Sequence, residues 1–186
     1  GYLGNKYAQH FSLTLSANIA IEQSYGYIDG DSASLAELCA LISAITSLPI
    51  SQSIALTGSI NQHGDVQAIG GVNEKIEGFF KLCKMRGLTG EQGVIIPKSN
   101  QVNLVLDDEI LNAVELGKFN IFAVETVDQA LNLLMDIDAG DMVDEHYPED
   151  SVNGIALARL KDIADIVNGD NSDEKDHDSE DEKGEL

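Results

Sequence analysis

Residues 56–75 read LTGSINQHGDVQAIGGVNEK, and the order of residue types in this stretch sets the architecture. Residues 53–60 (SIALTGSI) are strand-like, and 61–65 (NQHGD) supply the polar and glycine residues of a turn. Residues 66–69 form a second, shorter strand, and Gly70-Gly71 breaks the run. From Val72 the apolar period becomes that of a helix, through Ile76, Phe79, Phe80, Leu82 and Cys83, until Gly87 stops it.

The same alternation continues on both sides. Residues 11–21 (FSLTLSANIAI) put Phe11, Leu13, Leu15, Ala17, Ile19 and Ile21 on one face, the pattern of a half-buried strand. A polar loop at 22–31 follows. Residues 34–37 (SLAE) make a capping-box pattern that opens a helix to about Leu48, where Pro49 ends it. Residues 93–97 (GVIIP) form a short apolar strand, 108–116 a helix, 119–124 a strand and 126–135 a last helix capped by Thr126. Strands alternating with helices predict an α+β (mixed α/β) domain with mixed sheets and packed helices.

The chain has 186 residues, 43% of them hydrophobic, so it can bury a core and wholesale disorder is excluded. It carries 32 acidic against 11 basic side chains, a formal charge of -21. That charge is unevenly placed: residues 1–135 hold -7 and residues 136–186 hold -14. The reading is therefore a domain at 1–135 followed by an acidic extension at 136–186. Within the extension, 155–167 (IALARLKDIADIV) predict a short amphipathic helix that docks on the body or on a partner. Residues 170–186 (DNSDEKDHDSEDEKGEL) predict a disordered tail. So acidic a chain argues against nonspecific binding of nucleic acid or of an anionic membrane, since phosphates demand Lys and Arg. No run approaches the roughly 18 apolar residues of a membrane span. The start, GYLGN, has no basic n-region, and reads as a cut inside a longer protein rather than a signal peptide. Cys39 and Cys83 sit in apolar helical patterns and predict two buried free thiols. His10, His63, His146 and His177 show no metal-ligand spacing, and no metal is expected.

Three segments interrupt the regular patterns: 27–34 (YIDGDSAS), 56–59 (LTGS) and 69–75 (IGGVNEK). Ser32 stands at the mouth of a predicted helix, where unpaired backbone N–H groups can stabilise an oxyanion. Gly30 lets the loop turn sharply there. A serine nucleophile needs a base, and no histidine is nominated by its pattern. Lys75, in the first turn of the next helix, is the alternative. A lysine of ordinary pKa, about 10.4, is neutral in about one molecule in 2500 at pH 7, so a lysine base needs desolvation or a helix dipole to help it. The apolar neighbours Val72 and Ile76 fit such a site. Each residue also has a plainer explanation. A serine before a helix is usually a cap, a helical lysine is usually solvated, Thr57 suits any strand, and Asp29 and Asp31 suit any helix N-terminus. On the residues alone both readings stay open.

Taken together, DGDSAS (29–34), LTGSINQHGDVQAIGGVNEK (56–75) and GVIIP (93–97) strongly resemble the proteolytic domain of Lon proteases, in order and spacing as well as in words. The similarity covers roughly residues 11–135. It implies a serine endopeptidase, with the nucleophile of the family's Asp-Gly-x-Ser falling on Ser32 and the base that closes Gly-Gly-x-x-Glu-Lys falling on Lys75. The threonine that contacts that lysine falls on Thr57. The motif aspartate, which lies near the dyad and in some inactive forms distorts it, falls on Asp29. Asp31 stands where the common bacterial form has Pro, Ser34 where it has Gly, and Asn73 where it often has Lys. These departures, with IEQSYG at 21–26, resemble the archaeal-type and bacterial Lon-like branch.

The resemblance implies a cytoplasmic protease acting on unfolded or regulatory proteins, assembled as a homohexameric ring. It implies ATP with Mg for an upstream ATPase module, since no P-loop GxxxxGK[ST] occurs here. The family's domain begins before residue 11, so the chain is expected to be a C-terminal fragment or an excised domain, N-terminally truncated. Two alternatives stand beside the protease. One is a catalytically latent Lon-like scaffold domain of a ring ATPase; the other is an acidic module whose extension recruits basic partners.

Overall fold

A computed structural model describes residues 1–20 and 30–178. The strands are β1 (Ile54–Leu56), β2 (Ser59–Ile60), β3 (Val66–Gln67), β4 (Gly93–Pro97) and β5 (Asn120–Val124). The helices are α1 (Tyr2–Tyr7), α2 (Ser34–Thr46), α3 (Val72–Arg86), α4 (Asp108–Glu115), α5 (Val127–Leu134) and α6 (Val152–Asp178), with a 3-10 turn at Lys98–Asn103. β1, β4 and β5 form a parallel sheet in that order, and β2 and β3 form a separate antiparallel ribbon. The mixture of sheets and helices is the α+β class expected.

Side-chain alternation along the parallel strands divides the core in two. Ile54, Leu56, Ile95, Phe122 and Val124 face one cluster, built on α1, α2, α5 and α6. Ala55, Val94, Ile96 and Ile121 face the other, built on α3 and α4. All five residues of β4 are buried, as a central parallel strand covered on both faces requires. α3 crosses from β1 to β4, and its stripe Val72, Ile76, Phe80 and Cys83 is buried at helical spacing. Phe80 meets Phe119 edge to face, with centroids 5.2 Å apart.

Several elements depart from expectation. Residues 11–20 form no strand; Ile21 lies outside the described residues. Phe11, Leu13 and Leu15 still pack on the first cluster, so the period marks the buried face correctly. A strand also needs a neighbour's N–H and C=O groups, and no described strand pairs with this segment. Residues 53–60 are two strands, because Thr57-Gly58 turns the chain out of the parallel sheet into the ribbon. Gly58 is needed there: a Cβ would lie 3.0 Å from both Leu35 Cδ2 and Val66 Cγ1. The expected capping box is not formed. Ser34 is the first residue of α2, Ala33 is the N-cap without a side-chain bond, and the Ser34 hydroxyl is engaged by β2 instead. Thr126 does cap α5, accepting from the Gln129 N–H at 3.3 Å.

The helix expected at 155–167 is longer, Val152–Asp178, and it docks on the body. Val152, Ala156, Leu160 and Ala164, spaced by four, are buried, the first three of them in the first cluster. Once this packed turn exists, each further residue adds a helical hydrogen bond, and no proline interrupts 152–178. The first part of the stretch expected to be disordered is thus helical, while 179–186 lie outside the described residues. No described helix is long and apolar enough to cross a membrane.

Cys39 and Cys83 are free and buried, as expected. Burial pushes the Cys39 thiol up to about 12, so its thiolate is scarce at neutral pH. A maleimide is therefore expected to label Cys39 in denaturant but not in the native protein. Equal labelling rates in the two conditions, read by mass spectrometry, overturn this.

Candidate active site

The loop before α2 turns at Gly30, whose φ of +81° lies in the left-handed region. A bond of 3.0 Å from the Ser34 N–H to the Asp31 carbonyl closes the turn and presents Ser32 at the helix mouth. Thr57-Gly58, leaving β1, passes beside this loop and is stitched to it. The Ser32 carbonyl accepts from the Gly58 N–H at 2.9 Å and from the Thr57 hydroxyl at 3.1 Å. The Gly58 carbonyl accepts from the Leu35 N–H at 3.1 Å, and Ser34 Oγ accepts from the Ile60 N–H at 3.1 Å. Thr57 is buried, and its own N–H bonds the Ile95 carbonyl of β4 at 3.0 Å. The loop that carries Ser32 is thereby tied to the centre of the sheet.

α3 delivers the second group. Gly71, at φ +68°, turns the chain into the helix, and Lys75 lies in its first turn. Lys75 Nζ stands 2.7 Å from Ser32 Oγ and 3.3 Å from Thr57 Oγ1. As an ammonium it donates to the serine; as a neutral amine at the same distance it accepts the serine proton. Ser32 and Lys75 each sit at a helix N-terminus, so both dipoles favour negative charge between them.

Ser32, Lys75 and Thr57, nominated by the sequence, converge. Asp29 lies outside the described residues. One expectation is corrected. Val72 and Ile76 do not desolvate Lys75; they are buried in the second core cluster, while Lys75 itself is exposed. The sequence marks Asp31 as suited to a helix N-terminus and as standing where the common bacterial form has proline. Its carboxylate accepts from Ser59 Oγ at 2.6 Å, a contact across 28 residues that no local pattern announces.

A cleft of ≈ 290 Å³ adjoins the pair, lined by Ala33, Ala36, Ala55, Leu56, Phe79 and Val94 beside Ser32, Thr57 and Lys75. A larger groove of ≈ 520 Å³, between Leu104, Val105, Leu111 and Ile121, has no serine, cysteine or lysine in its lining. Among the described residues no three His, Cys, Asp or Glu converge to hold a metal ion.

Residues 10–136 match the family model described as the Lon protease (S16) C-terminal proteolytic domain. A protein of Escherichia coli (strain K12) described as a Lon protease homolog is 57% identical over 125 residues, covering 67% of this chain and 21% of that protein. One of Haemophilus influenzae with the same description is 50% identical over 157 residues, covering 82% and 26%. An archaeal Lon protease of Methanocaldococcus jannaschii is 39% identical over 120 residues, covering 64% and 16%. The chain thus spans about a quarter or less of these relatives' length.

Proposed function

The chain belongs to the family of Lon protease C-terminal proteolytic domains, and from that premise we propose that it is a serine endopeptidase working through a Ser32–Lys75 dyad. The observation that carries this reading is the 2.7 Å contact between Lys75 Nζ and Ser32 Oγ. The same contact counts against a latent scaffold, which has no use for an aligned nucleophile and base.

Neutral Lys75 takes the proton from Ser32 as the Ser32 oxygen attacks the scissile carbonyl. Backbone N–H groups at the mouth of α2 receive the oxyanion. The lysine then returns the proton to the leaving amine, leaving an acyl-Ser32 ester. Next it takes a proton from water, the resulting hydroxide attacks the ester carbon, and the proton returns to Ser32. Lys75 is exposed in the free site, so a peptide seated in the cleft excludes water from it. The apolar lining suits an apolar side chain next to the scissile bond.

In the full-length protein this domain receives unfolded or regulatory protein substrates from an upstream ATPase module that uses ATP with Mg. It works in a homohexameric ring in the cytoplasm. A fluorophosphonate probe tests the nucleophile: labelling on Ser32 is expected, and labelling of another residue sinks the assignment. Thr57 orients the lysine. Thr57→Val keeps the shape but removes the hydroxyl that meets both Lys75 Nζ and the Ser32 carbonyl, and is expected to lower kcat about 10–100-fold. Unchanged kcat in a peptide-hydrolysis assay removes Thr57 from the machinery.

A further inference from the structure

We propose that Asp31 and Ser59 form a latch that holds the nucleophile in line with its base, which makes both of them positioning residues acting through Ser32. The inference rests on the reading of Ser32 as the nucleophile.

Ser59 is 4% exposed, and a buried hydroxyl must find a partner or cost its desolvation. Its partner is the Asp31 carboxylate, with Ser59 Oγ donating to Oδ2 at 2.6 Å. That length is typical of a charge-assisted O–H···O⁻ bond, roughly twice as strong as a neutral one. Asp31 itself is exposed, so the carboxylate keeps water on its other side and the bond buries no whole charge.

The position of the bond gives it a task. Thr57 and Ser59 lie two residues apart, and both hydroxyls reach the same loop. Thr57 grips the Ser32 carbonyl and Ser59 grips the side chain of the residue before it. The other ties are to backbone: the Gly58 N–H holds the Ser32 carbonyl and the Ser34 N–H holds the Asp31 carbonyl, so the Asp31 side chain is held by Ser59. On the N-terminal side the next residue is Gly30, at φ +81°, where the chain has more freedom than any side-chain-bearing residue allows. The latch lies between this swivel and the nucleophile. Without it, rotation at Gly30 carries Ser32 Oγ away from Lys75 Nζ, and a displacement of about 1 Å is enough to cost on the order of 100-fold in rate.

The test uses the full-length protein and steady-state peptide hydrolysis, with fluorophosphonate labelling of Ser32 as a second readout. Ser59→Ala and Asp31→Ala are each expected to lower kcat and the labelling rate about 10–100-fold with KM little changed. The double variant is expected to be no worse than either single one, since the two residues make one bond. Asp31→Asn keeps a carbonyl oxygen for Ser59 and is expected to recover most of the loss. Asp31→Asn as impaired as Asp31→Ala overturns the latch in favour of a role for the charge alone. Wild-type kcat in Asp31→Ala overturns it outright, and because Asp31 is exposed this variant is free of a packing penalty. Ser32→Ala in parallel separates the two levels of the argument. If it retains turnover, the nucleophile assignment fails; if it is inactive and Asp31→Ala matches wild type, the latch alone fails.

Discussion

Ser32→Ala is expected to reduce degradation of an unfolded protein by the full-length enzyme to background, a loss of about 10⁴-fold or more. The change removes one oxygen, the atom that forms the acyl bond in the proposed mechanism. Nothing in the site replaces it: Thr57 is the nearest other hydroxyl to Lys75 Nζ, at 3.3 Å, but it is buried and already donates to the Ser32 carbonyl. The backbone of residue 32 keeps its own anchors, because the Gly58 N–H and the Thr57 hydroxyl bond its carbonyl rather than its side chain. Stability is therefore expected to change by about 0.5 kcal/mol or less, the scale of a substitution outside core and caps. Turnover of a fluorescently labelled unfolded substrate, read beside the thermal unfolding midpoint, checks both halves. Activity within a few-fold of wild type, in a protein that folds normally, removes the nucleophile from the scheme.

What could be read from sequence follows from what a local pattern encodes. The stripe of α3 and the apolar run of β4 were plain because each element's own period states which face is buried. Residues 11–20 show the limit of that signal. Their period marked Phe11, Leu13 and Leu15 as inward, and all three pack on the core, but a period says nothing about whether a partner strand is at hand. The serine of SLAE shows a second limit. The pattern of a capping box is satisfied by four residues, yet the hydroxyl of Ser34 went to the Ile60 N–H, 26 residues away, because β2 runs beside the helix mouth. α1 went unseen because its six residues are too few to display a helical period. The site divides in the same way. Ser32 and Lys75 are 43 residues apart; the residue pattern offered their pairing as one of two readings, and the resemblance to a known pairing favoured it. Asp31 and Ser59 meet through the same crossing of loop and strand, and neither residue type stands out alone.

Lys75→Arg is expected to be as inactive as Ser32→Ala, for a different reason. Arginine keeps the positive charge, the reach from the first turn of α3 and the capacity to donate to Ser32 Oγ and Thr57 Oγ1. It cannot give up its proton in a protein, so it can never receive the one on Ser32. The substitution thus separates holding the serine from deprotonating it. The fold is expected to survive, since Lys75 is exposed and the core contacts of this turn belong to Val72 and Ile76. Only a neutral amine can act as the base, so the arginine variant is expected to stay at background. Lys75→Ala, assayed with a small primary amine in solution, adds a positive test: the ≈ 290 Å³ cleft beside the exposed lysine has room for such a base, and partial recovery is expected. If the arginine variant turns over substrate at the wild-type rate, a group other than Lys75 takes the serine proton and the dyad is wrong.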